Sequence, residues 1–371
     1  MATGFPHTPG MTQLIMKIIL SGGGTLGPVV PLLVIAEMYR KYNPAVQFIW
    51  VGTKNGPEKE MVAKHGILFY SLTAGKWRRY FSFWNFIDIF KIFVSFFSSL
   101  ILLRQEKPDL LISGGGFVSV PLHWVGWLLG IPCWIHQQDV LPGLANQLMS
   151  RTATKITTAL KESATAFSRK SEWIGNPVRD LTVNDLSAAR ARFDIPAGVP
   201  VIFAMGGGTG SMTINKLIIE AMQSWPKEWH VIHLTGKERP AELNERATGV
   251  FPNYRVYKFF VDEMKDAYAL ADVAVGRAGF ATITELASLS KAAILIPMRG
   301  THQEANVKKL VDEEAVLVLN EDHESGLKLA QMVRELVEDD EERARLGKKL
   351  NDILPRANAR RIVAIINELL I

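Results

Sequence analysis

The sequence predicts an α/β protein of two Rossmann-like, doubly wound parallel-sheet domains facing a cleft. Three observations carry this. Short apolar runs alternate with helical patterns along the chain, as parallel strands joined by crossover helices require. A strand running into a glycine turn and then a helix occurs twice in similar form, at Lys17–Thr25 and at Val201–Ser211. The 371 residues are too many for one core and suit two.

In chain order, residues 1–16 lack an apolar h-region and are read as a mobile N-terminal extension without a signal peptide. Residues 17–175 form the first domain. Its strands are Lys17–Leu20, Val46–Gly52, Ile67–Ser71, Asp109–Ser113, Ile131–His136, Lys155–Thr158 and Ser171–Ile174. Helical patterns at Leu32–Tyr42, Pro57–His65 and Pro121–Gly130 lie between them. Gly175-Asn176-Pro177 reads as the hinge, because Pro fixes φ and Gly and Asn favour turns. The second domain, 176–354, restarts the pattern with strands at Val201–Met205, Val231–Gly236, Tyr254–Phe259, Asp272–Val275, Ala292–Pro297 and Ala315–Leu319. Leu327–Val337 is helical, Glu338–Lys349 reads as a charged, solvated run, and residues 355–371 carry a last helix.

Composition excludes several classes. Hydrophobic residues make up 48% and charged residues 21%, which describes a globular chain rather than a disordered one. A net charge of +5 favours an anionic partner without choosing one. Cys133 is the single cysteine, so no disulfide framework exists, and its apolar setting reads as a buried, inert thiol. The histidines show no metal-ligand spacing and no Asp-x-Asp occurs, so neither a metal nor another cofactor is expected.

Residues 75–104 stand apart. Lys76, Arg78 and Arg79 are interleaved with Trp77, Tyr80, Phe81, Phe83 and Trp84, and further phenylalanines follow. The longest uncharged run, Ile92–Leu103, is shorter than the about 20 residues a membrane span needs. Two readings stand. A core helix with an aromatic face suits the second half, and a loop and helix end in a membrane interface suits the first. Clustered cations among bulky aromatics point to lipid before nucleic acid, and no nucleic-acid partner is expected.

The most informative stretch is Ala271–Asn306. A strand reaches Gly276-Arg277-Ala278-Gly279, a helix runs to about Ser288, a second strand follows, and a polar loop then carries His302, Gln303 and Asn306. The helix N-terminus offers free backbone N–H groups and partial positive charge, which suits phosphate. Glu285 is a carboxylate placed to take hydroxyl donors; its bland alternative is a solvated helix residue. Together these suggest a nucleotide site. No glycine loop is the dinucleotide G-x-G-x-x-G with its distal acid, nor a P-loop.

The order and spacing of several motifs resemble the MurG family of glycosyltransferases from Lys17 onward. They are ADVAVGRAG, TITEL and HQEAN in the stretch above, with GGGF–VSVP (Gly114–Pro121), WIHQQD (Trp134–Asp139) and GNPVR (Gly175–Arg179). The resemblance implies a GT-B fold and metal-independent, inverting transfer of N-acetylglucosamine (GlcNAc) from UDP-GlcNAc. The acceptor would be lipid I, undecaprenyl-pyrophosphoryl-N-acetylmuramyl-pentapeptide, and the product lipid II for peptidoglycan. It implies peripheral attachment to an anionic membrane at the cytoplasmic face, with Lys76–Trp84 as the docking patch. It also implies that the last helix crosses back to the first domain.

On the donor side the resemblance places Val261 at uracil and Glu285 at the ribose. Gly279, Phe280, Ala281 and Thr282 would lie at the diphosphate with Arg179 nearby. Gln303 and Asn306 would meet the sugar hydroxyls, and Thr25, Gly208, Thr209 and Asn215 would line the site. Gly23, Gly24, Gly114, Gly115 and Gly116 would face the acceptor's diphosphate. The first glycine loop departs from the family pattern. Leu26 replaces a glycine and Pro28 replaces a histidine held to be catalytic or acceptor-orienting, so a stiffer loop and poorer anion cradle are expected. Asp139, a carboxylate where the family has an amide, is the substitute base expected here, with His136 second. Two other readings compete: a catalytically impaired UDP-sugar-binding scaffold, and a GT-B sugar-nucleotide epimerase.

Overall fold

The computed structural model describes residues 15–24, 27–56, 58–73, 84–167, 171–240, 245, 247–260, 262–322 and 325–371, with 84–92 described by backbone alone. Thr25, Leu26, Val261, Lys76, Trp77, Arg78, Arg79, Tyr80, Phe81 and Phe83 lie outside the described residues, as does the side chain of Trp84.

Apolar runs bounded by glycine or polar residues form the strands. In the first half these are β1 (Lys17–Gly22), β2 (Gln47–Thr53), β3 (Leu68–Leu72), β4 (Leu110–Gly115), β5 (Cys133–Gln137), β6 (Lys155–Thr158) and β7 (Ser171–Trp173). They build an all-parallel sheet in the order β3-β2-β1-β4-β5-β6-β7. The second half contributes β8 (Val201–Met205), β9 (His230–Leu234), β10 (Tyr254–Tyr257), β11 (Val273–Gly276), β12 (Ala293–Leu295) and β13 (Leu317–Val318). Their order, β10-β9-β8-β11-β12-β13, is again parallel throughout.

Both faces of each sheet are covered, which is why the central strands are continuously apolar rather than alternating. In the first sheet Ile18, Leu20 and Trp50 enter one core cluster and Ile19, Ile49 and Val51 another. In the second, Phe203 and Ala274 face one cluster, Ile202 and Val275 the other. Each sheet reverses its winding between its first and fourth strands, at β1/β4 and at β8/β11. Open α/β sheets bind ligands at such switch points, beyond the carboxyl ends of the strands.

The chain passes between the halves twice, and the two passages lie side by side. Gly175-Asn176 runs parallel to Pro355–Ala357: Asn176 N donates to Pro355 O (3.1 Å), and Ala357 N donates to Asn176 O (2.8 Å). Gly175 is obligatory there. Its φ is +79°, and a Cβ would sit 2.3 Å from the Pro355 carbonyl.

After the second passage the Ala359–Leu369 helix lays Ile362, Ile365 and Ile366 into the first domain's core with Leu32 and Ile35. Arg361 fastens it to β7 by a two-pronged contact with Glu172, Nε–Oε1 2.6 Å and Nη2–Oε2 2.7 Å. Tyr39 OH adds a bond to Asn367 Oδ1 (3.0 Å).

Three segments differ from the sequence reading. The polar loop after β12 is the first turn of a helix, His302–Asp312, capped by Thr301; polar residues fill that turn because Val307 and Leu310 do the packing. Glu338–Lys349 is not a free charged run but belongs largely to the Asp340–Ile353 helix. Asp339 caps it by accepting from Glu342 N (2.8 Å), three acidic residues occupy its first turn, and Leu346 and Leu350 bury its apolar stripe. The third is the Trp84–Glu106 helix. Ile92–Leu103 is only in part a core segment: Phe93, Phe97 and Ile101, spaced four apart, are 58–62% exposed, while Ser95 and Ser99 face inward.

The Arg361 and Lys155 contacts with Glu172 hold its carboxyl at about 2, below the ordinary 4.5. A depressed carboxylate stabilises the fold above its ordinary value and loses that contribution as pH falls toward the folded value. At neutral pH Glu172→Gln is expected to lower unfolding stability by about 1–2 kcal/mol, the charge-assisted range reduced by partial solvent exposure. Urea melts should show the gap between variant and wild type closing as pH drops from about 5 to about 3.

Candidate functional site

The four glycine turns converge on the two switch points. In the first half the turn after β1 packs on the turn after β4. Gly115 and Gly116 adopt φ of +104° and +97°, and the Gly23 backbone closes on Gly116. Pro28, the residue preceding the Val29–Tyr42 helix, rests its carbonyl where a Cβ on Gly114 would stand, 2.4 Å away. The two loops thus form one packed wall, with Gly23, Gly114 and Gly115 buried and Gly24 exposed.

In the second half, Gly206–Gly210 follows β8, and Ser211 caps the Met212–Met222 helix by accepting from Ile214 N (3.3 Å). Gly208 is half-buried and Thr209 exposed. Asn215 was expected to line the donor site; its Oδ1 is buried without a hydrogen-bond partner among the described residues. The residue is fully buried on the helix face toward the sheet, where its Nδ2 donates to Thr235 O (3.3 Å).

Arg277 carries a contact the sequence reading missed. It is 8% exposed and reaches from the β11 turn to Ser211 Oγ (2.8 Å), Ile296 O (3.1 Å) and Glu321 Oε2 (2.7 Å), tying three loop ends together. The signal available was a cation inside a glycine turn at a strand's end.

The Phe280–Ser288 helix starts at Gly279, which offers no side-chain cap, and a Cβ there would meet open space. The N–H groups of Phe280, Ala281 and Thr282 have no partner among the described residues, so this helix end is open to an anion. Ala281 and Thr282 are half-buried and Phe280 is buried.

Glu285 is neither solvated nor isolated. It is 7% exposed, with Oε1 accepting from Arg179 Nε (2.7 Å) and Oε2 from Tyr268 OH (2.9 Å). Burial, then the Glu285 charge, raises the Tyr268 phenol well above its ordinary value, so it remains a donor. The two residues that the sequence assigned separately to ribose and diphosphate are therefore partners.

Gln303 Oε1 accepts from Met298 N (3.1 Å). Asn306 is buried, and both ends of its amide engage the opposite half: Nδ2 donates to Asp139 Oδ1 (3.0 Å), and Oδ1 accepts from Val140 N (3.3 Å). Lys309 adds an ion pair to Glu162 (2.9 Å), and on the other rim Lys237 meets Glu60 (3.1 Å). The cleft is bridged at both rims, and Asp139 stands at the bridge, half-buried, with Oδ1 engaged.

His136 is not placed to act as a base. It is fully buried, and both ring nitrogens are taken, Nδ1 by Thr157 Oγ1 (2.9 Å) and Nε2 by Asn176 Oδ1 (2.9 Å). Burial pulls the imidazole from 6.5 down to about 4, so it is neutral in the working range. Cys133 is equally inert: buried, its thiol is pushed up to about 12. Among the described residues no three His, Cys, Asp or Glu side chains group so as to hold a metal ion.

Residues 18–158 match the glycosyltransferase family 28 N-terminal domain, and residues 201–360 match the glycosyltransferase family 28 C-terminal domain. The chain is 33% identical over 350 residues to the UDP-N-acetylglucosamine–N-acetylmuramyl-(pentapeptide) pyrophosphoryl-undecaprenol N-acetylglucosamine transferase of Clostridium perfringens, which covers 91% of this chain and 96% of that protein. The transferase of the same description from Alkaliphilus oremlandii is 30% identical over 332 residues, covering 87% and 90%. In fold, the chain resembles the crystal structure of MurG from Acinetobacter baumannii with a TM-score of 0.74 over 95% of this chain and 99% of that one, at 24% identity. The fold is GT-B.

Isotope-edited NMR of the imidazoles checks the reading of His136. Its ring is expected to stay neutral, protonated on Nε2, from about pH 8 down to about pH 5. A titration midpoint near 6.5 would overturn that assignment.

Proposed function

The chain belongs to glycosyltransferase family 28, and on that premise we propose that it transfers GlcNAc from UDP-GlcNAc to lipid I, giving lipid II. The observation that carries this reading is the open N-terminus of the Phe280–Ser288 helix beside the buried Glu285, set across a cleft from two glycine loops. The donor's diphosphate lies at the free N–H groups, where developing charge on the leaving UDP is stabilised. Arg179 spends Nε on Glu285 and keeps its remaining N–H groups for that diphosphate. Each Glu285 oxygen holds a second lone pair for the ribose hydroxyls.

The acceptor's 4-hydroxyl oxygen forms the new bond to the anomeric carbon as the bond to the diphosphate oxygen breaks and UDP leaves with its electron pair. The hydroxyl proton goes to a base. With His136 sealed in the core and proline at position 28, the carboxylate at the cleft bridge takes that role: Asp139, through Oδ2, while Oδ1 stays on Asn306. The same proline keeps a second reading in view, a UDP-sugar-binding scaffold without turnover.

Attachment to the membrane surface from the cytoplasmic side is part of the proposal. Among the described residues no helix is long and apolar enough to cross a membrane. The exposed stripe of Phe93, Phe97 and Ile101 is joined by Trp127 and Leu128 at the end of the adjacent Ser119–Leu128 helix. A helix that turns Ser95 and Ser99 inward and Phe93, Phe97 and Ile101 outward suits a lipid interface.

Labelled UDP-GlcNAc with a short-chain lipid I analogue tests the activity. Label in the lipid is expected; isomerised sugar nucleotide would mean an epimerase, and binding without product a scaffold. In the same assay Asp139→Asn should lower kcat by about 10²–10⁴-fold, the usual worth of a positioned base. Full turnover in that variant would remove Asp139 from the role. Replacing Phe93, Phe97 and Ile101 by serine should abolish cosedimentation with anionic vesicles and leave UDP affinity unchanged.

A further inference from the structure

Asn176 is 1% exposed, and its backbone and side-chain polar groups are all bonded. Its backbone N–H and C=O join the second passage of the chain between the halves, at Pro355 and Ala357. Its side chain joins the halves themselves: Oδ1 accepts from His136 on β5, and Nδ2 donates to Thr284 Oγ1 (3.0 Å) in the Phe280–Ser288 helix.

The contacts continue in both directions with one polarity. Trp134 Nε1 donates to Thr157 Oγ1 (2.8 Å), whose hydroxyl proton goes to His136 Nδ1. On the other side Thr284 Oγ1 donates to Ala281 O (3.0 Å), in the first turn of the phosphate-facing helix. Reversing the Asn176 amide would require the Thr284 hydroxyl to leave Ala281 O and donate to Asn176, and the His136 ring to take the opposite tautomer. In the orientation described every member is bonded, and a buried polar chain of this kind is stable only when fully satisfied.

We propose that His136, Asn176 and Thr284 are positioning residues: their directed hydrogen-bond chain sets the orientation of the donor helix against the acceptor half. The His136 end leads directly into Gln137–Asp139 on the acceptor side, and the Thr284 end adjoins Glu285 on the donor side. None of the three needs to touch either substrate. The link to turnover rests on the transfer reading above; the link to orientation does not.

Transfer requires the acceptor oxygen and the anomeric carbon to meet in one geometry, and small misplacements are expensive in rate. Rim contacts such as Lys237–Glu60 are solvent-exposed and weak individually. The buried chain resists rotation together with the Asn306 contacts to Asp139 and Val140.

Thr284→Val removes the hydroxyl at nearly constant shape, and Thr284→Ser restores it. Spin labels at Gln105→Cys and Lys328→Cys, exposed positions in the two halves, report their relative orientation. The native Cys133 is buried and does not compete for label. Thr284→Val is expected to broaden the interdomain distance distribution at least twofold and lower kcat by about five- to tenfold, the kinetic equivalent of one buried hydrogen bond. The UDP dissociation constant should remain close to wild type, the melting temperature should fall by a few degrees as one buried donor loses its acceptor, and Thr284→Ser should recover width, rate and melting temperature.

An unchanged width in Thr284→Val overturns the proposal, as does a serine variant no better than valine. A broadened distribution in a protein that transfers no GlcNAc would sustain the positioning chain and sink the transfer reading.

Discussion

Burying an amide with all its groups satisfied is the constraint on which the two-domain arrangement depends. Asn176 lies where both passages of the chain cross and where both sheets approach. An unsatisfied polar group there would cost about 1–3 kcal/mol, so Pro355, Ala357, His136 and Thr284 are held in fixed relation to it. The left-handed backbone of Gly175 and the close approach of the Pro355 carbonyl follow from the same crowding. The cleft above inherits its floor from this point. Its walls come from the two sheet switch points, which aim four glycine turns at one volume.

The polar groups of the cleft are largely paired with each other. Arg179 neutralises Glu285, Asn306 holds Asp139, and Lys309 holds Glu162. Such pairing keeps buried charge tolerable in the unliganded protein. It also means that a nucleotide sugar exchanges partners on entering rather than filling an empty socket. Glu285 keeps spare lone pairs, Arg179 keeps spare donors, and the Phe280–Ser288 helix keeps an open N-terminus. These three features are the ones on which the proposed nucleoside diphosphate site rests.

Much of this was readable in the sequence, for a physical reason. Strands buried on both faces are apolar runs, and glycine turns must follow them where backbone approaches backbone. The parallel strands, the two-domain plan and the glycine-led helix are therefore written locally. Polar pairing is not. Arg179 and Glu285 lie 106 residues apart, and Asn306 and Asp139 lie 167 apart. Read singly, each looked like a free ligand contact. His136 looked like a base because it ends a strand beside polar residues, and only the fold shows Thr157 and Asn176 closing on its ring. The His302–Asp312 helix looked like a loop because its first turn is polar and its buried residues come later. Ser95 and Ser99 facing inward while Phe93 and Phe97 face outward reverse the pattern that sequence reading assumes.

The Ala359–Leu369 helix has a consequence for synthesis of the protein. Ile362, Ile365 and Ile366 complete the core of the sheet that begins at Lys17. Leu32 and Ile35 therefore wait, uncovered, until the whole second half and the helix beyond it have been made. The usual N-to-C order of domain folding is reversed at its final step. The second half can close most of its own core beforehand, and the first half is finished only once the Ala359–Leu369 helix is free to dock.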